Sequence, residues 1–270
     1  MKRIAILGGG MFSFFTELNR KRPPAHLLDF VTHTTSSIVH AADDLSVMET
    51  LETPPYIAAS VKAFIGKAKY RVGPSCIGAR DNPYGAAAAP NPDNGRVCLA
   101  RSDPRQRGLF GAAFTLGYAA AFARSGLEVL TLGAAAGPLG SIHLAQAQTA
   151  PWYDESGARL YPMFHVVRSL ANAEGAAVLT CENSDPGKIA VLACRKAGGQ
   201  GSFLWIANLT GARQSVRLEK PLFGASIVTL DEKNFAAATR EPDYLNAAAK
   251  PRAKLEGFAL AAYAVAMISA

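Results

Sequence analysis

A small set of polar side chains stands where short apolar runs end, and their types suit acid–base work on a small molecule. Glu17 and His33 supply a carboxylate and an imidazole, groups that commonly take or give a proton in catalysis. Asn19, His40, Asp43, Asp44, Ser75, Arg80, Asp81, Asn82 and Tyr84 add donors and acceptors that can hold hydroxyls or a developing negative charge. Each also has a plain structural reading. Glu17 is followed by Arg20, Lys21 and Arg22, so a surface ion pair would account for it. His33 lies inside the apolar run "DFVTHT" and reads equally well as a satisfied core histidine. Asp43 and Asp44 precede "LSVMETL", where a helix N-cap is expected. Asp81, Asn82 and Pro83 form a turn sequence, and Asp103 before Pro104 reads as a cap. Glu17, His33, His40 and Asp43 have the types for a metal site but no tight local spacing, so no metal is assigned. Cys76 next to Ser75 reads as an inert thiol, and no G-x-S-x-G elbow accompanies it.

These residues need strands and helices to position them. Ile4–Leu7 starts one strand region, which resumes at Met11–Phe15; Leu28–Thr34, Tyr70–Ile77 and "LEVLTLGA" give three more. "SVMETLETPPYIAASVKAFIG" carries helical spacing. A helix capped by Asp103, with Pro104 at its first position and Gly126 beyond its end, is expected after the long polar loop "GARDNPYGAAAAPNPDNGR". "YPMFHVVRSLANAEG" is a further helix. The alternation implies parallel βα units over residues 1–175. From residue 176 the pattern turns to short strands with turn sequences between them, the pattern of a small antiparallel β-sandwich over 176–270. In open and closed βα sheets the chemistry gathers at the C-terminal ends of the strands.

The opening "ILGGGMFS" invites a dinucleotide reading. Gly8 and Gly10 fit the first two fingerprint positions, but the third falls on Ser13, and Asp29 precedes its apolar run instead of ending it. No nucleotide or other cofactor is assigned. The glycines are expected to let the strand backbone bend or pack closely before Glu17.

Composition narrows the partners. The 270 residues are 49% hydrophobic and 18% charged, with a formal net charge of +7. The bases are scattered, without the run and interleaved aromatics of a nucleic-acid surface. The uncharged stretch from Gly108 to Ala123 is shorter than the roughly 20 residues of a membrane helix. Four cysteines without C-x-x-C spacing, and no visible signal peptide, imply a cytoplasmic chain with reduced thiols.

With the segments in order, a resemblance appears. "GGGMFSFFTELNRKRPP", "DFVTHTTSSIVHAADDLSVMETLE", "YRVGPSCIGARDNPYGAAAAPNPDNGRVCLARSDPRQRGLFGAAFTLGY", "LTLGAAAGPLG", "YPMFHVVRSLA" and "LWIANLT" resemble the C-terminal portion of the D-apionate lactonase family. The resemblance implies an α/β plus all-β chain: a partial (β/α) TIM-type barrel of about four βα units followed by the β-sandwich. It also implies a hydrolase that opens a carbohydrate lactone. On that reading Glu17 and His33 are the catalytic pair, while Asn19, His40, Arg80, Asp81, Asn82 and Tyr84 bind a sugar lactone or sugar acid. About half of the family's barrel and its N-terminal domain have no counterpart here. The open side is then expected to be covered by a second copy or a partner. Two other readings stand beside this one: a glycoside hydrolase-like barrel, which needs a second carboxylate, and a non-catalytic truncated or accessory chain.

Overall fold

The computed structural model describes residues 5–145, 149–199, 201–247 and 249–270. Its first elements are β1 (Gly8–Phe14), α1 (Phe15–Arg20), β2 (Phe30–Thr34), α2 (Asp44–Glu49), α3 (Pro54–Ile65), β3 (Lys69–Ser75), α4 (Leu109–Phe122) and β4 (Val129–Leu132). These are followed by β5 (Ala134–Ala136), β6 (Gly140–Ile142), α5 (Pro151–Ser156), α6 (Pro162–Ala171) and β7 (Ala177–Leu179). The chain ends with β8 (Ile189–Arg195), β9 (Ser202–Asn208), β10 (Gln214–Phe223), β11 (Ser226–Leu230), α7 (Phe235–Ala238), β12 (Lys254–Leu260) and β13 (Val265–Ser269). Packing divides the chain into two compact units, Met1–Asp103 with Ala121–Ala134, and Pro104–Ala120 with Ala135–Ala270.

The first unit is built on a four-stranded parallel sheet in the order β1-β2-β3-β4. Consecutive parallel neighbours require a crossover between each pair, and α3 supplies the one between β2 and β3. β1 and β4 each have one strand neighbour among the described residues. Val31, Tyr70, Val72, Ile38, Val47, Ala58, Val61 and Ile65 form the buried layer of this unit. The triple glycine lies inside β1 instead of ahead of it, because β1 runs against β2 at close range. A Cβ at Gly8 would fall 1.9 Å from the Phe30 ring, and one at Gly10 would fall 1.9 Å from the Thr32 carbonyl oxygen. Gly10 also sits at φ +147, a conformation that L side chains rarely adopt. At the N-terminal end of the sheet the Arg71 guanidinium stacks over the Phe30 ring at 3.8 Å and pairs with Glu128 at 2.7 Å. Lys69 pairs with the same carboxylate, and the two cations hold Glu128 below the usual carboxylate range.

Asp103 and Pro104 do not open the long apolar helix. Pro104–Arg107 forms a separate 3₁₀ turn, and α4 begins after Gly108 at Leu109. The cause lies in the packing: a Cβ at Gly111 would meet the Gln106 backbone at 2.6 Å, so this turn lies tightly against the helix that follows.

In the second unit, the antiparallel strands form a five-stranded sheet, β11-β13-β9-β8-β7, and the pair β10-β12. Ile206, Ala266 and Ile268 face Leu255 and Leu260 in one core, with Val216, Leu218 and Leu222 packed at its edge. The run "GFALAAYAVAMIS" is two strands, β12 and β13, with a corner at Ala262 and Tyr263. Trp205 is fully buried, and its Nε1–H donates to the Ser169 hydroxyl of α6 at 2.8 Å. On α6 the buried residues Pro162, Met163, His165, Val166 and Ser169 recur at helical spacing and form one face.

Gly10→Ala is expected to lower unfolding free energy by about 3 kcal/mol, since the new methyl meets backbone and the φ is unfavourable. Urea denaturation of the two proteins, with equal m values, measures it.

Candidate functional site

Parallel pairing brings the C-terminal ends of β1 to β4 to one edge of the sheet, and the segments leaving that edge carry the chemistry. The edge is stitched laterally by hydroxyls. Thr34 Oγ1 donates to the Ser13 carbonyl at 3.0 Å, and the Thr35 amide donates to Ser75 Oγ at 3.1 Å. The long segment after β3 is ordered despite having little regular structure. The Leu99 amide donates to the Ile38 carbonyl at 2.8 Å, which ties this segment to the loop after β2. Asn91 is buried, with its amide group donating to the carbonyls of Gly95 and Ser102, both at 2.9 Å.

Glu17 enters in the first turn of α1, directly after β1. Its side chain is 14% exposed and accepts from the Arg20 guanidinium at 2.8 Å. Asn19 is exposed and turned to local use: its side-chain oxygen accepts from Arg22 at 2.8 Å, and Arg22 lies over the Phe64 ring at 4.8 Å. His33 is completely buried on β2. Its Nδ1–H donates to the Thr34 carbonyl at 2.8 Å, leaving Nε2 to accept from the Tyr70 hydroxyl at 2.7 Å. Burial pushes its pKa down to about 4, so the ring is neutral at physiological pH and both nitrogens are occupied.

His40 and Tyr84 come together from different loops, with ring centroids 6.4 Å apart, and both are exposed. Arg80 and Asp81 are exposed in the segment between β3 and Tyr84. Asn82 holds the turn there, accepting from the Tyr84 amide and donating to the Ala87 carbonyl, both at 3.0 Å. Asp43 is the N-cap of α2 and accepts from the Ser46 amide at 2.9 Å, which holds its carboxyl below the usual range. Asp44 pairs with Arg96 at 3.3 Å. Among the described residues no three His, Cys, Asp or Glu side chains converge as a metal site, so Glu17, His33, His40 and Asp43 are not one cluster.

A second polar constellation, which the sequence reading did not single out, lies in the second unit. His143, just after β6, is 3% exposed and stacks on Tyr153 with centroids 5.3 Å apart. Its Nε2–H donates to Asp154 at 3.0 Å, and its Nδ1 accepts from the Tyr161 hydroxyl at 3.1 Å. The Ala150 amide and then His143 hold the Asp154 carboxyl below its ordinary value. The Tyr153 hydroxyl donates to the Arg107 carbonyl at 2.6 Å, and burial raises its pKa far above that of a free phenol. Arg105, Gln106 and Arg107 are all buried. The dense charge of "SDPRQR" directly before an uncharged helix was the available signal.

A parallel βα sheet followed by an antiparallel sandwich defines a barrel-and-sandwich protein. Similar solved structures include the α-L-arabinofuranosidases of Thermotoga petrophila (12% identity, TM-score 0.56) and Thermotoga maritima (11% identity, TM-score 0.55). Each comparison covers 97% of this chain and 56% of the other, and at such identity it speaks for fold alone. In sequence, "D-apionate lactonase, TIM barrel domain" matches residues 3–175, and "D-apionate lactonase, C-terminal immunoglobulin-like domain" matches residues 186–268. The chain belongs to the D-apionate lactonase family. A D-apionate lactonase of Brucella anthropi is 42% identical over 214 residues, which is 79% of this chain and 33% of that protein. The chain therefore spans about a third of the length of that curated relative. No helix among the described residues is long and apolar enough to cross a membrane.

Acid should destabilise the protein through His33. Its folded pKa of about 4 lies below the unfolded 6.5, so between these values the unfolded chain binds the extra proton. The stabilising contribution is full above pH 6.5 and is lost toward pH 4, by about 3 kcal/mol at most. Thermal melts across that range should show a shallower pH dependence in His33→Gln than in the unaltered protein.

Proposed function

We propose that this chain hydrolyses a sugar lactone of the D-apionolactone kind, releasing the open-chain sugar acid in cytoplasmic sugar catabolism. The observation that carries this reading is the 42% identity to a D-apionate lactonase over 214 residues, 79% of this chain. Lactone opening requires a base to activate water, a donor for the carbonyl oxygen as it becomes an oxyanion, and an acid for the departing alkoxide.

Glu17 is the group we assign to proton transfer, because it follows β1 directly and its side chain is mostly sheltered. Arg20 fixes the direction of its carboxylate. His33 serves the same chemistry from behind. With both nitrogens engaged and the ring neutral, it fixes the end of β2 and acts as a positioning residue. His40, Tyr84, Arg80 and Asp81 present exposed polar groups from the loops at the same edge and take the sugar hydroxyls and the lactone carbonyl. Asn82 and Asn19 shape the segments that carry these groups. β1 and β4, each with one strand neighbour among the described residues, suit closure by a second copy or by a chain bringing further parallel strands.

Acid release from D-apionolactone, followed at constant pH by base uptake, tests this. Turnover by the folded chain should fall at least about 100-fold in Glu17→Gln, while Arg80→Ala should act mainly by raising KM, by about tenfold. A folded chain with no turnover, or full activity in Glu17→Gln, would overturn the assignment.

A further inference from the structure

The four-stranded parallel sheet of the first unit is covered on one face only. Val31, His33, Tyr70 and Val72 alternate into the buried layer that holds Val61 and Ile65 of α3. The opposite face carries Phe12 on β1, Thr32 on β2, Arg71 on β3, and Val129 and Thr131 on β4, and none of these is buried. Phe12 is 86% exposed and Val129 40%. Parallel sheets otherwise occur almost only with both faces covered.

The edges are as unguarded as the face. β1 reads GGGMFSF and β4 reads VLTL, with no charge and no proline in either. A sheet edge that stays in water usually carries such residues to discourage pairing. Each of these two strands has one strand neighbour among the described residues. One remedy serves face and edges together: strands added beside β1 and β4 until the sheet returns on itself, with the open face turned inward.

A second copy of the chain supplies those strands. The sheet runs parallel and in chain order from β1 to β4, so a copy joined by its β1 to this β4 continues the same order and direction. Two copies give eight strands, the number at which a βα sheet closes into a barrel of this type. Each β4 then meets the other copy's β1, and the two seams are identical, as a two-fold axis along the barrel requires. Charge on the open face points the same way. Arg71 is satisfied within its own copy, by Glu128 at 2.7 Å and by the Phe30 ring at 3.8 Å, and Lys69 shares the same carboxylate. The surplus positive charge sits at the N-terminal rim, where water reaches Lys69, so the face calls for no partner of opposite sign.

We propose that two copies of this chain close one eight-stranded barrel through two β1–β4 seams. The catalytic meaning of this dimer rests on the lactonase reading: the barrel mouth carries two sets of strand-end loops, each with its own Glu17.

Sedimentation equilibrium of the full chain tests the proposal. A dimer is expected, with Kd below about 1 μM. Phe12→Asp and Val129→Lys each place a charge on a seam at an exposed position, and each should weaken association at least about 100-fold while circular dichroism shows a folded chain. Tyr56→Asp, on the exposed side of α3, should leave the dimer intact. A folded monomer at about 50 μM, an assembly that keeps growing with concentration, or a dimer indifferent to both seam variants would each overturn the proposal. A dimer without lactone turnover leaves it standing and overturns the catalytic reading, whereas a folded, active monomer does the reverse.

Discussion

Everything at the strand-end edge depends on parallel pairing of β1 through β4 in chain order. Because every strand points the same way, each loop that leaves a C-terminal end emerges on the same side, whatever its sequence. The pairing in turn depends on close approach. Gly8 and Gly10 leave room for the Phe30 ring and the Thr32 carbonyl, and without that room β1 could not lie in register with β2. Glu17 follows directly from this, since α1 begins one residue after β1 ends. A requirement for space at two glycines thus fixes the position of a carboxylate several residues on.

Three buried polar side chains are saturated by their neighbours, and that saturation marks them as scaffold. His33, Asn91 and His143 are all nearly inaccessible, and each spends its hydrogen-bonding capacity on neighbouring backbone or side chains. Such networks hold segments in single conformations because a buried polar atom without a partner costs about 1 to 3 kcal/mol. The groups left with capacity for a ligand are the exposed ones, His40, Tyr84, Arg80 and Asp81. A histidine in a strand is therefore weighed by its partners before its residue type.

The alternation of strand and helix signals, and its change to closely spaced strands after α6, was legible because hydrophobic period reports burial directly. Boundaries were less so. The strand through Gly8–Gly10 depends on contacts with the distant Phe30 and Thr32, which no local pattern carries, and the 3₁₀ turn at Pro104–Arg107 depends on the close approach of Gln106 to Gly111. The N-cap role of Asp43 was legible because capping is local. The environment of His33 was open, since a core histidine and a strand-end base have the same neighbours in sequence, and only the third dimension supplies Tyr70. The link between His143, Asp154 and Tyr161 joins residues up to 18 positions apart through a fold that the pattern did not specify.

The segment between β3 and the 3₁₀ turn is held at a few points: Asn82 near its start, Asn91 in its middle and Leu99 against Ile38. Between those anchors the side chains answer to no core. Such a segment can exchange its exposed residues, Arg80, Asp81 and Tyr84 among them, while the sheet beneath stays as it is. Change at these exposed positions is thereby uncoupled from foldability. The same division offers a natural place for a randomised library: the anchors kept, the intervening positions varied.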